Sequence, residues 1–114
     1  MIIVTTRMIS RPENRATLLQ AIREMLEPTR VEDGCLSFNL YQDIENRNSF
    51  ILMEEWASEE ELDEHLLTLN YKNLLMLMDL LGKPPEIKFN SVSTSAGMEL
   101  VRKVRGKQKE ELNM

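Results

Sequence analysis

Cys35-Leu36-Ser37-Phe38-Asn39-Leu40-Tyr41-Gln42, then the polar link Asp43-Ile44-Glu45-Asn46-Arg47-Asn48, then Ser49-Phe50-Ile51-Leu52-Met53-Glu54-Glu55-Trp56-Ala57: this stretch decides the fold. Two runs rich in aromatic and aliphatic residues, joined by a short polar connection, read as an antiparallel β-hairpin. What flanks the hairpin fixes its context. Upstream, Ile2 to Ile9 is β-branched and reads as a strand, and a helix starts at Arg11-Pro12-Glu13-Asn14. Pro12 suits the first turn of that helix and Glu13 suits the positive end of its dipole. Leu18, Leu19, Ile22, Met25 and Leu26 keep a 3.6-residue period, and Pro28 and Gly34 bracket the loop expected to end the helix.

Downstream, Ser58 and Glu61 have the spacing of a capping box. Leu62, His65, Leu66 and Leu69 share one helical face, and the chain breaks near Asn70. A third helix is expected from Tyr71 to Leu81, closed by Gly82 and Pro84-Pro85, and a last strand from Glu86 to Thr94. The order β-α-β-β-α(α)-β is α+β and ferredoxin-like, a four-stranded antiparallel sheet with its first and third strands central and its helices on one face. On this reading residues 1–95 form one domain, and residues 96–114 form a charged C-terminal tail that is either helical or disordered.

A sheet covered on one face alternates apolar and polar residues. Phe50-Ile51-Leu52-Met53 and Ile2-Ile3-Val4 do not, so both central strands are apolar on the side the helices cannot reach. Extended apolar patches are rarely left in water, and a second identical sheet is the simplest cover. The sequence therefore predicts a homodimer packed sheet to sheet.

The 114 residues fit one domain, and a net charge of -5 argues against nucleic acid as a partner. The exception is Arg102, Lys103, Arg105, Lys107 and Lys109, which read either as a phosphate-binding tail or as a solvated terminus. Cys35 is the single cysteine, which excludes an internal disulfide and a cysteine-based metal cluster. No run approaches the ~18 apolar residues of a membrane span, and the amino-terminal apolar run is too short for a secretory signal, so the expectation is a cytoplasmic protein without a membrane partner.

Few residues carry chemistry. His65, the single histidine, lies on an apolar stripe, so it is either a proton-transfer group facing the sheet or a satisfied core residue. Trp56 and Glu54 share a strand face; Trp56 either walls an aromatic pocket or fills the core, and Glu54 either pairs with a cation or lines a cavity. Asn39 shares a face with Cys35, Ser37 and Tyr41, which is either a pocket lining or a solvated edge strand. The third helix is apolar around most of its circumference, which fits either adaptable ligand contact or burial on two sides.

Taken together, Asp33-Gly34-Cys35-Leu36-Ser37-Phe38-Asn39-Leu40-Tyr41, Phe50-Ile51-Leu52-Met53-Glu54-Glu55-Trp56 and Leu62-Asp63-Glu64-His65-Leu66 resemble the antibiotic biosynthesis monooxygenase family over residues 1–95. The resemblance implies a dimeric α/β barrel with a pocket between helices and sheet. It also implies oxidation of a quinol or polyphenolic aromatic by O2, with no metal or organic cofactor. Within it, His65 is the catalytic group, and Trp56, Asn39, Tyr71, Glu54 and Asn70 are substrate-binding residues. Many members carry a second histidine where Asn70 stands; asparagine hydrogen-bonds but exchanges no proton near pH 7. Haem degradation within the same superfamily needs an asparagine in the first strand, which Ile2 to Ile9 lacks. Isomerisation of a phosphorylated carbonyl compound wants pocket cations beyond Arg7 and Arg11. A dimer that binds or senses a small ligand without turnover fits the same fold.

Overall fold

A computed structural model describes the backbone of residues 1–112 and the side chains through residue 107. The elements are β1 (Ile2–Ile9), α1 (Arg15–Arg30), β2 (Cys35–Gln42), β3 (Ser49–Trp56), α2 (Glu59–Leu66), α3 (Leu69–Met76), β4 (Glu86–Ser91) and α4 (Met98–Leu112). A 3-10 turn at Pro12–Asn14 leads into α1, and another at Leu77–Leu80 prolongs α3. The four strands form one antiparallel sheet in the order β2-β3-β1-β4, so the first and third strands are central. This is the α+β, ferredoxin-like arrangement the sequence predicts.

Strand periodicity sorts the side chains. Val4, Thr6 and Met8 of β1 and Phe50, Leu52, Glu54 and Trp56 of β3 are buried on the inner face. There α1 contributes Leu18, Ile22 and Met25, and the α2–α3 pair contributes Leu62, His65, Tyr71 and Leu74. Burying side chains of this size is worth about 1.5–3 kcal/mol each, which makes this layer the source of the fold's stability. The opposite face shows Ile3, Thr5, Ile51 and Met53, half-buried or exposed in the single chain, interleaved with Arg7 and Glu55.

Several local expectations are corrected. Helix α1 runs through Pro28 to Arg30 rather than ending at the proline. The turn beyond Pro28 is held by buried Thr29 and by Arg30, which donates to the Phe38 carbonyl at 3.0 Å. Only half of the capping box forms. Ser58 Oγ accepts from the Glu61 amide at 3.3 Å, but the Glu61 carboxylate lies over Gly34, where one of its oxygens is buried without a hydrogen-bond partner. A β-bulge between Cys35 and Ser37 turns Cys35 to the inner face opposite Trp56, away from Ser37, Asn39 and Tyr41. The third helix starts at Leu69, because Thr68 Oγ1 accepts from the Tyr71 amide at 3.2 Å, and its last turn tightens to 3-10 geometry.

Strand β4 ends at Ser91, short of the expected Thr94, and the ladder closes with Val92 donating to the Met1 carbonyl at 2.9 Å. Beyond it α4 carries Arg102, Lys103, Arg105 and Lys107, whereas the Lys109 side chain lies outside the described residues. Among the described residues no helix is long and apolar enough to cross a membrane.

Candidate functional site

The inner face carries one polar cluster at the end of the sheet where β2 begins and β3 ends. Glu54 and Trp56 are two residues apart on β3 and so point the same way. Trp56 Nε1 donates to Glu54 Oε1 at 3.1 Å, a contact closed off from water, since the two residues are 0% and 1% exposed. A buried carboxylate is costly unless it is bonded, and the indole meets part of that demand.

His65 descends onto this pair from α2. Its ring stacks on Trp56 at 4.4 Å between centroids and meets Phe38 at 5.9 Å and Tyr71 at 5.3 Å edge to face. Nδ1 faces both Glu32 carboxylate oxygens, at 3.1 and 3.2 Å. Nε2 lies 3.3 Å from Glu54 Oε1, within ion-pair reach but out of hydrogen-bond alignment, so it is a buried nitrogen with no hydrogen-bond partner. A carboxylate therefore stands at each ring nitrogen. Burial works against the imidazolium, yet Glu54 and then Glu32 overcome it, and the His65 pKa rises above its ordinary value. Burial likewise raises the Tyr71 phenol, with Glu54 adding to it. Cys35 is raised by burial, then by Glu32 and Glu54, against the opposing pull of Arg30.

Three carboxylate and imidazole groups in one place suggest a metal site, but the geometry opposes it. Glu32 and Glu54 sit at opposite nitrogens of one ring, and among the described residues no three metal-ligating side chains converge on one point.

The structure brings together His65, Trp56, Glu54 and Tyr71. It does not bring Asn39 to them. Asn39 pairs with Met53 on the outer face, and its Oδ1 accepts from Arg30 Nη2 at 2.9 Å. Asn70 sits half-buried in the first turn of α3, one residue before Tyr71. Sequence reasoning missed Glu32 altogether. The available signal was register: Cys35 pairs with Trp56, so a carboxylate three residues before Cys35 comes back to the tryptophan end. Gly34, with φ of +78°, makes the turn that returns it.

The cluster is sealed. The His65 side chain is 0% exposed, whereas Glu32 at 21% reaches solvent. Clefts open elsewhere, among them one of about 480 Å³ between α1 and β2, bounded by Arg15, Arg23, Leu19, Leu40 and Phe50, and one of about 310 Å³ between α2 and β4. His65 lines neither.

The chain matches the family model described as antibiotic biosynthesis monooxygenase over residues 1–74. It is 35% identical over 82 residues to the Rv0793 protein of Mycobacterium tuberculosis, covering 71% of this chain and 80% of that one. The structure of Rv0793 superposes with a TM-score of 0.78, covering 84% of this chain and 98% of that chain. A conserved protein of Methanosarcina mazei superposes with a TM-score of 0.74 at 29% identity, over 78% of this chain and 89% of that one. The protein sll1783 of Synechocystis is 31% identical over 93 residues, 81% of this chain, and the match spans 63% of the cyanobacterial protein's length.

Proposed function

Because the chain belongs to the antibiotic biosynthesis monooxygenase family, we propose that it oxidises a quinol or related polyphenolic aromatic with O2, using no metal or organic cofactor, and that His65 is its proton-transfer group. The observation that carries the reading is a single buried imidazole held between two carboxylates and walled by three aromatic rings. The reaction balances as quinol plus O2 giving hydroxyquinone plus water. The substrate supplies the electrons, and the protein supplies a base, a dry cavity and orientation.

Glu32 on Nδ1 favours the tautomer with its proton there, which leaves the Nε2 lone pair to take a phenolic proton. Loss of that proton turns the phenol into an electron-rich phenolate that can reduce O2. The imidazolium so formed is stabilised by Glu54, and Glu32, on the solvent side, is the exit for the proton. An aromatic substrate reaches Nε2 only by displacing a ring around it. Tyr71, at 8% exposed against 0% for Trp56 and 1% for Phe38, is the wall nearest solvent. Two copies packed through their outer sheet faces, each with residues 1–95 as its folded domain, would cover Ile3, Ile51 and Met53. Oxygen uptake with a panel of hydroquinones, wild type against His65→Ala, tests the assignment; equal rates would remove His65 from the mechanism.

The sealed ring favours a second reading, a ligand-binding protein without turnover. Saturable binding of the same hydroquinones with no oxygen uptake would select it.

A further inference from the structure

The inner face of the sheet is incompletely covered. Helices α1, α2 and α3 lie over β2, β3 and β1, but Phe89 of β4, which pairs with Val4 on that face, stays 50% exposed. The result is the groove of about 310 Å³ between α2 and β4. Its floor is Ile2, Leu62, Leu66 and Phe89, and its rim carries Glu59 and Asp63. Neither acid has an ion-pair partner among the described residues. The gap is an apolar strip beside an acidic edge.

Helix α4 is the complement. At 100° per residue, Leu100, Val104, Val101 and Met98 span about 160° of the helix, bordered by Lys103 and Lys107 on one side and Arg102 on the other, with Arg105 between Val101 and Met98. That face has no cover: the four apolar residues are 59%, 51%, 48% and 57% exposed. The single chain also holds α4 away from its own groove. The molecule measures 60 × 35 × 22 Å with a radius of gyration of 18.2 Å, where about 13 Å is usual for a compact chain of this size. The excess length matches a 15-residue helix, about 22 Å long at 1.5 Å per residue, projecting from the body.

We propose that α4 of one copy docks in the β4–α2 groove of a second copy, its apolar stripe on Phe89 and Leu62 and its arginines against Glu59 and Asp63. Charge favours this occupant over an anionic membrane surface. Residues 1–95 carry sixteen acidic and nine basic side chains, so the body is repelled by the lipid surface that a basic helix alone would seek.

The test uses full-length chains with Cys35→Ser, carrying either Ser91→Cys or Val104→Cys and tags of different size. Mixing the two under mild oxidation should give a disulfide between unlike chains. Glu59→Lys with Asp63→Lys should reduce its yield about tenfold, and Arg102→Glu with Arg105→Glu in the partner should restore it. A chain bearing both cysteines serves as control. A disulfide confined to one chain would show that α4 folds back on its own groove and would overturn the proposal. So would absence of any cross-link, whether or not the chain sediments with phosphatidylserine vesicles. Far-UV circular dichroism of each variant confirms that α4 and the sheet are intact.

Discussion

Glu32 and His65 are 33 positions apart in the chain, yet both carboxylate oxygens of Glu32 lie within 3.2 Å of His65 Nδ1. The contact joins the loop after α1 to the helix after β3, and together with Glu54 at the other ring nitrogen it raises the pKa of the one imidazole of the protein.

That pKa has a sign that can be measured. A group whose folded pKa is raised stabilises the protein fully below its unfolded value, about 6.5 for histidine, and the contribution drains away as pH rises through the folded value. The Glu32→Gln variant should lose about 1 kcal/mol at pH 6 and approach wild type at pH 9.5. Urea denaturation at the two pH values measures the difference, and NMR titration of the single histidine gives its midpoint directly. A midpoint below the ordinary value would contradict the two-carboxylate clamp.

The same shift governs catalysis if His65 is the base. Only the neutral ring accepts the phenolic proton, so quinol oxidation should climb with pH through a midpoint above the ordinary histidine value. Glu32→Gln should move that midpoint down and also lower the plateau, because it removes the carboxylate through which the proton leaves. A rate that falls across the same range would assign the proton transfer elsewhere.

Trp56→Phe keeps the stacked ring but removes the donor to Glu54 Oε1. Leaving a buried carboxylate oxygen short of a partner costs about 1–3 kcal/mol, and the variant should denature at correspondingly lower urea. Adding Glu54→Gln to it should cost less than the sum of the two single substitutions, because the two groups share one bond.

Gly34→Ala should be among the most damaging small changes in the chain. The residue has φ of +78°, and an added Cβ would lie 2.6 Å from the Glu61 Cβ, which is the root of that side chain rather than its mobile end. The left-handed backbone alone costs about 1–2 kcal/mol for a side-chain-bearing residue. Glu61→Ala in the same chain should recover the part due to the carboxylate and leave the backbone part together with the Cβ contact, as a double-mutant cycle in denaturant would resolve.

On the outer sheet face Met53 is 37% exposed and Ile51 and Ile3 are half-buried. If two sheets close on each other there, Met53→Lys buries an unpaired ammonium in the contact. Sedimentation equilibrium at micromolar concentration should then show a dimer for the wild type and a monomer for the variant. A wild-type monomer would remove the face-to-face arrangement.

Periodicity made the elements legible. Alternation along β1 and β3 and the 3.6-residue stripe of α1 fix which side chains face inward, because those patterns are properties of the local backbone. The pairing of Trp56 with Glu54 on one face was readable for the same reason, as was the placement of His65 against the sheet. Where the sequence misled, a distant contact had overridden a local signal. Arg30 reaching Phe38 carries α1 past Pro28, and the bulge at Leu36 moves Cys35 to the other face from Asn39.

By itself, then, the chain determined the order of elements, the sheet topology, the shared strand face of Trp56 and Glu54, and the side of its helix on which His65 stands. Only the tertiary structure decided that Glu32 completes that group, that Asn39 does not, and that the ring is closed off from water. Spacing along a strand or helix specifies direction but not distance between segments. The contact of Glu32 with His65 exists because a left-handed turn at Gly34 and the register of Cys35 with Trp56 act together.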